Sequence, residues 1–295
     1  MPLTPDAVEY LRLLETEEVA HQGWTIDQRR DAGRAEALSV EDRIGLDDVH
    51  DVDADGVPCR VYRPRVGAPV ALYVHGGGWV FHDLETHDEF CRYLAHRTGW
   101  ALLAVDYRLA PENPYPAPLD DVATAARWLR AEARSLRLSD EVVAGIGDSS
   151  GANLLAGLTV RDASLLDALV LIYPPVDASA PYADEDNAAL EAKEMDAYWR
   201  HYAPGALADE PEVSPLRADV SGFPPTFLVT AEHDVLRDQG EAFAASLAAA
   251  GVDVTASRTL GMIHGYWRHP DLLPPAAATV VSVGAFLEEQ RAGVR

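Results

Sequence analysis

The sequence predicts an α/β fold in which helices cover both faces of a mostly parallel sheet. The main observation is that short apolar runs, typical of buried strands, alternate with longer segments of helical pattern. The length of 295 residues suits one such domain with modest additions. The predicted strands lie near residues 70–74, 101–106, 142–147, 168–173, 226–231 and 254–259. The predicted helices lie near residues 87–98, 117–134, 151–162, 238–250 and 275–291.

Two segments depart from this alternation. Residues 5–40 have a helical pattern, and they precede two strands within 45–63 that join at the turn Asp55-Gly56. The stretch 178–215 is acidic, contains four prolines and includes a helical patch from Asn187 to His201. We interpret both departures as parts of a helical cap. The predicted organisation is an N-terminal cap segment (1–40), a core (41–177), a cap insertion (178–215) and a second part of the core (216–295).

The composition limits the classes of partner. The chain has 24 basic and 48 acidic side chains and a net charge of −24, which disfavours nucleic acid and anionic membranes. No apolar run approaches the roughly 20 residues needed to span a bilayer. Met1 to His21 lacks the basic start of a secretory signal, and Cys59 and Cys91 are too few for a disulfide framework. We therefore expect a cytoplasmic location.

The pentapeptide Gly147-Asp148-Ser149-Ser150-Gly151 has the form G-x-S-x-G. It follows an apolar run that ends at Ile146 and precedes a helical segment that begins at Ala152. A strand, a sharp turn and a helix are the setting in which this pattern forms a nucleophile elbow. The alternative is a simple Gly/Ser loop, because the pentapeptide alone is a weak signal.

A second glycine-rich segment, His75 to Trp79, directly follows the predicted strand 70–74. Backbone N–H groups stabilise a developing oxyanion when they are fixed in place and no side chain blocks them. Three consecutive glycines after a core strand could supply such a surface, and the HGGG pattern is typical of it. The alternative is a flexible glycine linker.

The order along the chain favours Ser149, Asp234 and His264 as a catalytic set, because hydrolases of this kind place the serine first, the acid next and the histidine last. Asp234 follows the predicted strand 226–231, and His264 lies in a later, glycine-flanked loop. For the acid, Glu232 and then Asp177 remain as alternatives.

Together these motifs resemble the hormone-sensitive-lipase-like branch of the α/β-hydrolase superfamily, over roughly residues 45–292. The matching segments are HGGGW (75–79), DYRLAPE (106–112), P-x-x-x-D-D (116–121), GDSSG (147–151), D-x-L-R-D (234–238) and HGY (264–266). The departures include Ala152 in place of a second glycine, and Phe81 and His82 in place of small residues. The resemblance implies an α/β-hydrolase fold with a helical cap.

The resemblance also implies roles for individual residues. Gly77, Gly78 and Ser150 would supply the oxyanion N–H groups. No metal or organic cofactor is expected, and the partner would be a small-molecule ester, with a homodimer left open. Aromatic and imidazole side chains after the glycines and in the cap would narrow the substrate pocket: Trp79, Phe81, His82, Tyr198, Trp199 and Tyr202. For the three cap aromatics, the alternative is that they pack the cap against the body.

The expected activity is hydrolysis of short-chain or aryl esters, with acyl chains of about two to six carbons, because large side chains outweigh the gain of about 0.8 kcal/mol per buried methylene. Hydrolysis of amides, formamides or carbamates is the alternative on the same scaffold. A ligand receptor without catalysis is a further alternative, which His264 disfavours, because the receptors that resemble this family lack that histidine.

Overall fold

The computed structural model describes residues 1–183 and 189–293. Its strands are β1 (Asp48–Ala54), β2 (Val57–Arg63), β3 (Pro69–Val74), β4 (Ala101–Val105), β5 (Ser139–Asp148), β6 (Ala168–Ile172), β7 (Thr226–His233) and β8 (Val254–Ile263). Its helices are α1 (Pro5–Ala20), α2 (Ile26–Leu38), α3 (Asp88–Thr98), α4 (Ala117–Glu132), α5 (Ser150–Arg161), α6 (Ala192–Tyr202), α7 (Arg237–Ala249) and α8 (Pro274–Gly293).

The strands form one eight-stranded sheet in the order β1-β2-β4-β3-β5-β6-β7-β8. Strands β3 to β8 pair in parallel, whereas β2 pairs antiparallel with both β1 and β4. Buried apolar side chains form a separate cluster on each face of the sheet. The predicted helix-covered, mostly parallel sheet is thereby confirmed.

The carboxyl ends of the parallel strands set the position of the site. Strand β5 continues through Asp148, β7 through His233 and β8 through Ile263, so these three strands extend beyond their predicted ends. Because parallel strands present their carboxyl ends at one edge of the sheet, the loops that follow them converge there.

Within the described residues, the segment between β6 and β7 carries α6 and two short 3-10 helices. The predicted helical patch from Asn187 to His201 is only partly tested, because 187 and 188 lie outside the described residues. Within the described part, the helix begins at Ala192 and ends at Tyr202, and the side chain of Glu191 and that of Glu194 form a capping box at its start. None of the helices in residues 1–183 and 189–293 is long and apolar enough to cross a membrane.

Candidate active site

Ser149 lies at the sharp turn between β5 and α5. Its backbone has φ 51° and ψ −123°, a conformation that few residues with a side chain adopt. Its N–H donates to the carbonyl oxygen of Ile172 at 2.8 Å, which ties the turn to β6. Strain of this kind persists only where the surroundings enforce it, and it occurs preferentially at functional sites.

The two outer glycines of the pentapeptide are required by close packing. A Cβ atom at Gly147 would lie 2.7 Å from the carbonyl carbon of Gly151. A Cβ atom at Gly151 would lie 2.0 Å from the carbonyl oxygen of Val74. The turn can therefore press against the end of β3 only because neither position has a side chain.

The structure brings Ser149, Asp234 and His264 together, although they are far apart in sequence. His264 lies immediately after β8, and its Nε2 atom is 3.0 Å from the Ser149 hydroxyl oxygen. Its Nδ1 atom is 2.7 Å from Oδ2 of Asp234, which lies immediately after β7. Asp234 is fully buried, and its Oδ1 accepts a hydrogen bond from the N–H of Leu236 at 2.9 Å. The imidazole therefore bridges the hydroxyl and the carboxylate.

The two alternative acids have other partners. Glu232 accepts a hydrogen bond from the N–H of Gly261 at 2.7 Å and forms an ion pair with the amino terminus. Asp177 pairs with Arg217, whose Nε donates to both carboxylate oxygens at 3.1 Å. Neither carboxylate contacts His264 in the described residues, so the geometry favours Asp234 among the three candidates.

The glycine-rich loop lies beside the serine. Gly77 and Gly78 have φ values of 123° and 60°, which glycine adopts without strain. A Cβ atom at Gly77 would lie 2.3 Å from the carbonyl oxygen of Phe81, so this loop also has no space for a side chain. Within residues 1–183 and 189–293, the N–H groups of both glycines have no hydrogen-bond acceptor. They are thus free to donate to a ligand.

A cavity of about 120 Å³ opens at Ser149. Two of the six predicted pocket residues, His82 and Tyr198, line it. Ser149, His264 and the glycine loop also line the cavity. Its other lining side chains are Asp148, Tyr173, Leu190, Met195, Tyr198, His82 and Arg268.

The other four predicted pocket residues do not line this cavity, which corrects the prediction. Trp79 is fully buried, and its ring centroid lies 4.3 Å from that of Trp199 and 4.5 Å from that of Tyr202. Phe81 packs behind Tyr198, with ring centroids 6.2 Å apart. The physical reason is that these large apolar rings bury more area against one another than they would in a small cavity.

Several cavity residues were not predicted from the sequence. Tyr173 directly follows β6, and its ring centroid lies 4.4 Å from that of His264. The rule that ligands bind at the carboxyl ends of parallel strands could have identified it. No local signal identified Leu190, Met195 or Arg268, because they reach the cavity through the folding of loops and of α6.

Three histidines with lowered pKa values lie on one side of the site: His75, His82 and His87. Burial lowers the pKa of His75 to about 4. Burial also lowers the pKa of His82 and of His87 well below the usual range, and the positive charge of Arg268 adds to both shifts. The described residues contain no group of three or more His, Cys, Asp or Glu side chains arranged to hold a metal ion.

Comparison with known proteins identifies the class. A family model with the description alpha/beta hydrolase fold matches residues 71–268. The carboxylesterase NlhH of Mycobacterium tuberculosis is 40% identical over 257 residues, which cover 81% of this chain and 79% of that protein. The ethyl acetate hydrolase of Pseudomonas putida is 33% identical, and the match covers 98% of this chain and 99% of that protein.

A solved structure extends this likeness to three dimensions. A crystallised esterase of the bacterial hormone-sensitive lipase family is 28% identical, with a TM-score of 0.86, and covers 98% of this chain and 99% of that one. The chain therefore belongs to the α/β-hydrolase family. Within that family it is a carboxylic ester hydrolase of the hormone-sensitive-lipase-like branch, and the predicted family and enzyme class are confirmed.

Proposed function

We propose that this protein is a serine carboxylesterase that acts on short-chain or aryl esters through Ser149, His264 and Asp234. The observation that carries the proposal is the pair of hydrogen bonds made by His264, at 3.0 Å to Ser149 and 2.7 Å to Asp234. A nucleophile, a base within reach and a third group that orients the base are what covalent catalysis of acyl transfer requires.

In the first half of the reaction, the Ser149 hydroxyl attacks the ester carbonyl while His264 Nε2 takes its proton. Asp234 accepts the Nδ1–H of His264, so it fixes the tautomer and stabilises the imidazolium that forms. His264 then gives the proton to the departing alcohol oxygen, which leaves an acyl group on Ser149. In the second half, water attacks this acyl group with His264 again as base, and the carboxylic acid is released.

The negative charge that develops on the carbonyl oxygen needs donors that are already in place. We assign this role to the backbone N–H groups of Gly77, Gly78 and Ser150. The free N–H groups of the two glycines and the position of Ser150 at the start of α5 support this assignment. Removal of one such donor typically costs about 10²- to 10³-fold in rate.

The preference for small substrates rests on the size and lining of the cavity. A volume of about 120 Å³ is small, and Leu190, Met195 and Tyr198 limit it on the side of α6. The relative from Pseudomonas putida is named for hydrolysis of ethyl acetate, a small ester. We assign residues 1–40 and 178–215 as the cap over this cavity. For the second segment, support comes from Tyr198 of α6, which lies directly against Gly78.

Replacement of the nucleophile tests the proposal. We expect Ser149→Ala to lower kcat on p-nitrophenyl acetate by at least about 10⁴-fold, because triad members act as a unit. Circular dichroism and the urea midpoint should remain close to those of the parent protein. Ser282→Ala, on the exposed face of α8, is the matched control and should keep parental kinetics. Near-parental turnover in a folded Ser149→Ala protein would refute the assignment.

A further inference from the structure

Arg268 is a charged side chain in the catalytic cavity that the proposed mechanism does not use. It lies in the 3-10 turn 266–268, four residues after His264, and its side chain lines the cavity that contains Ser149. It also lines a second cavity of about 260 Å³ on the side of α3. Arg268 therefore belongs to the lining of both cavities.

The guanidinium has no carboxylate partner in the described part of the chain. Its one hydrogen-bond contact among these residues is from Nη1 to Nε2 of His87, at 3.3 Å. This setting is unusual for the molecule, because most of its other arginines pair with Asp or Glu. A partly buried cation that pairs only with a neutral ring has unused hydrogen-bond donors.

Three carboxylates of the described residues line the two cavities with Arg268, and none forms an ion pair with it: Asp148, Glu89 and Asp271. Oδ1 of Asp148 accepts hydrogen bonds from Tyr73 at 3.0 Å and from the N–H of Gly76 at 3.3 Å. The charge of Arg268 lowers the pKa of Asp148, against the larger raising effect of burial. The pKa values of His82 and His87 are lowered first by burial and second by the positive charge of Arg268. Its field therefore extends across this side of the cavity.

The place of Arg268 in the chain, shortly after His264, indicates which part of a substrate would meet it. His264 must protonate the departing alcohol oxygen, so the alcohol part of the ester lies towards His264 and the turn that follows it. Tyr198 lies against Gly78, on the side of the oxyanion loop and α6. The cavity lining thus combines apolar side chains from α6 and the segment before it (Leu190, Met195) with one cation from the turn 266–268.

We propose that Arg268 is a specificity-determining residue that binds a carboxylate on the alcohol part of the substrate. The preferred substrates would be small acyl esters of hydroxy acids, in which the carboxylate lies a few atoms from the ester oxygen. A guanidinium binds a carboxylate through two parallel hydrogen bonds, which also orients the ester towards Ser149. This inference rests on the proposed function, since it requires hydrolysis at Ser149.

The test compares matched pairs of substrates that differ in one charge. The first pair is acetoxyacetate and its neutral amide. Two further pairs, 3-acetoxypropionate and 4-acetoxybutyrate with their amides, vary the distance between the carboxylate and the ester oxygen. The second pair carries the charge on the acyl part: monoethyl succinate and ethyl succinamate. The quantity measured is the ratio of kcat/KM for the charged ester to that for its neutral partner.

We expect the parent enzyme to prefer the charged member of at least one acetoxy acid pair. Arg268→Gln should lower that ratio at least tenfold, because hydrogen bonds to charged groups are the strong ones. Arg268→Lys, which keeps the charge, should restore part of the ratio, whereas a purely structural role would not distinguish the two variants. Arg134→Gln, on an exposed arginine that pairs with Asp140, should leave the ratio unchanged.

The large negative charge of the whole chain repels every anionic substrate, but it differs by only one unit between the parent and the variant. The change in ratio therefore isolates the local effect of Arg268. A ratio that is equal in the parent and in Arg268→Gln, or a preference confined to monoethyl succinate, would overturn the inference. Hydrolysis of p-nitrophenyl acetate that is lost in Ser149→Ala would still support the proposed function in that case.

Discussion

Replacement of Tyr198 by alanine should change the acyl chain length that the enzyme prefers. The Tyr198 ring lines the cavity and lies so close to Gly78 that a Cβ atom there would be 2.6 Å from it. Its removal extends a cavity of about 120 Å³ towards the partly buried Phe81. Longer acyl chains should then be buried instead of excluded.

The size of the effect follows from the burial of methylene groups. Each newly buried methylene contributes about 0.8 kcal/mol, or about fourfold in kcat/KM. An octanoyl chain has four more methylenes than a butyryl chain, so the upper limit is about 3 kcal/mol, or about 200-fold. Because the opened space also admits water, we expect a rise of at least about tenfold in the octanoate-to-butyrate ratio.

The assay is the release of p-nitrophenol from esters of graded chain length, with kcat/KM determined for each. Trp199→Phe is the matched control, because Trp199 is the neighbour of Tyr198 on α6 but packs against Trp79 outside the cavity. It should lower stability and keep the parental ratio. A parental ratio in Tyr198→Ala together with a changed ratio in Trp199→Phe would refute this account of the pocket.

Three further predictions concern the acid, the elbow and pH. Asp234→Asn should lower kcat by about 10³- to 10⁴-fold on p-nitrophenyl acetate, because it stabilises the wrong tautomer of the base, and Glu232→Gln should cost less than tenfold. Gly151→Ala should lower the urea midpoint severely, since its Cβ would lie 2.0 Å from the carbonyl oxygen of Val74; a parental midpoint contradicts this. His75 has a folded pKa of about 4 against about 6.5 unfolded, so the unfolded state binds more protons between these values and stability falls as pH falls through them. His75→Gln should therefore reduce the slope of unfolding free energy against pH by up to about 1.4 kcal/mol per unit between pH 5 and 6.5, and equal slopes would contradict it.

The backbone of the site was predictable because its signals are local. The run before Gly147 is apolar enough to be a strand, and the glycines at 147 and 151 mark a turn that no side chain could enter. The order of Ser149, Asp234 and His264 follows from the rule that parallel strands deliver their loops to one edge. Each of these inferences needs only the nearest few residues and the direction of a strand.

The direction of the aromatic side chains was not predictable from the motif alone. Trp79 follows three glycines and has φ 60°, a conformation rare for a bulky residue, and its ring turns into the core. On α6, Tyr202 is about 40° from Tyr198 and about 60° from Trp199 around the helix axis, so all three rings lie within one sector of about 100°. Helical geometry therefore did not separate Tyr198 from the other two, and only the long-range contacts of Trp199 and Tyr202 with Trp79 do so.

The same packing links the cap helix to the proposed oxyanion donors. Trp79, the residue after Gly78, stacks on Tyr202 with an interplanar angle of 3°, while Tyr198 covers Gly78 itself. A shift of α6 would thus move the ring on each side of the loop that carries the free N–H groups. Because these donors must meet a developing charge within a few tenths of an ångström, substitutions on α6 should change kcat as well as KM. The side chains of α6 that limit the cavity therefore also help to position the proposed oxyanion donors.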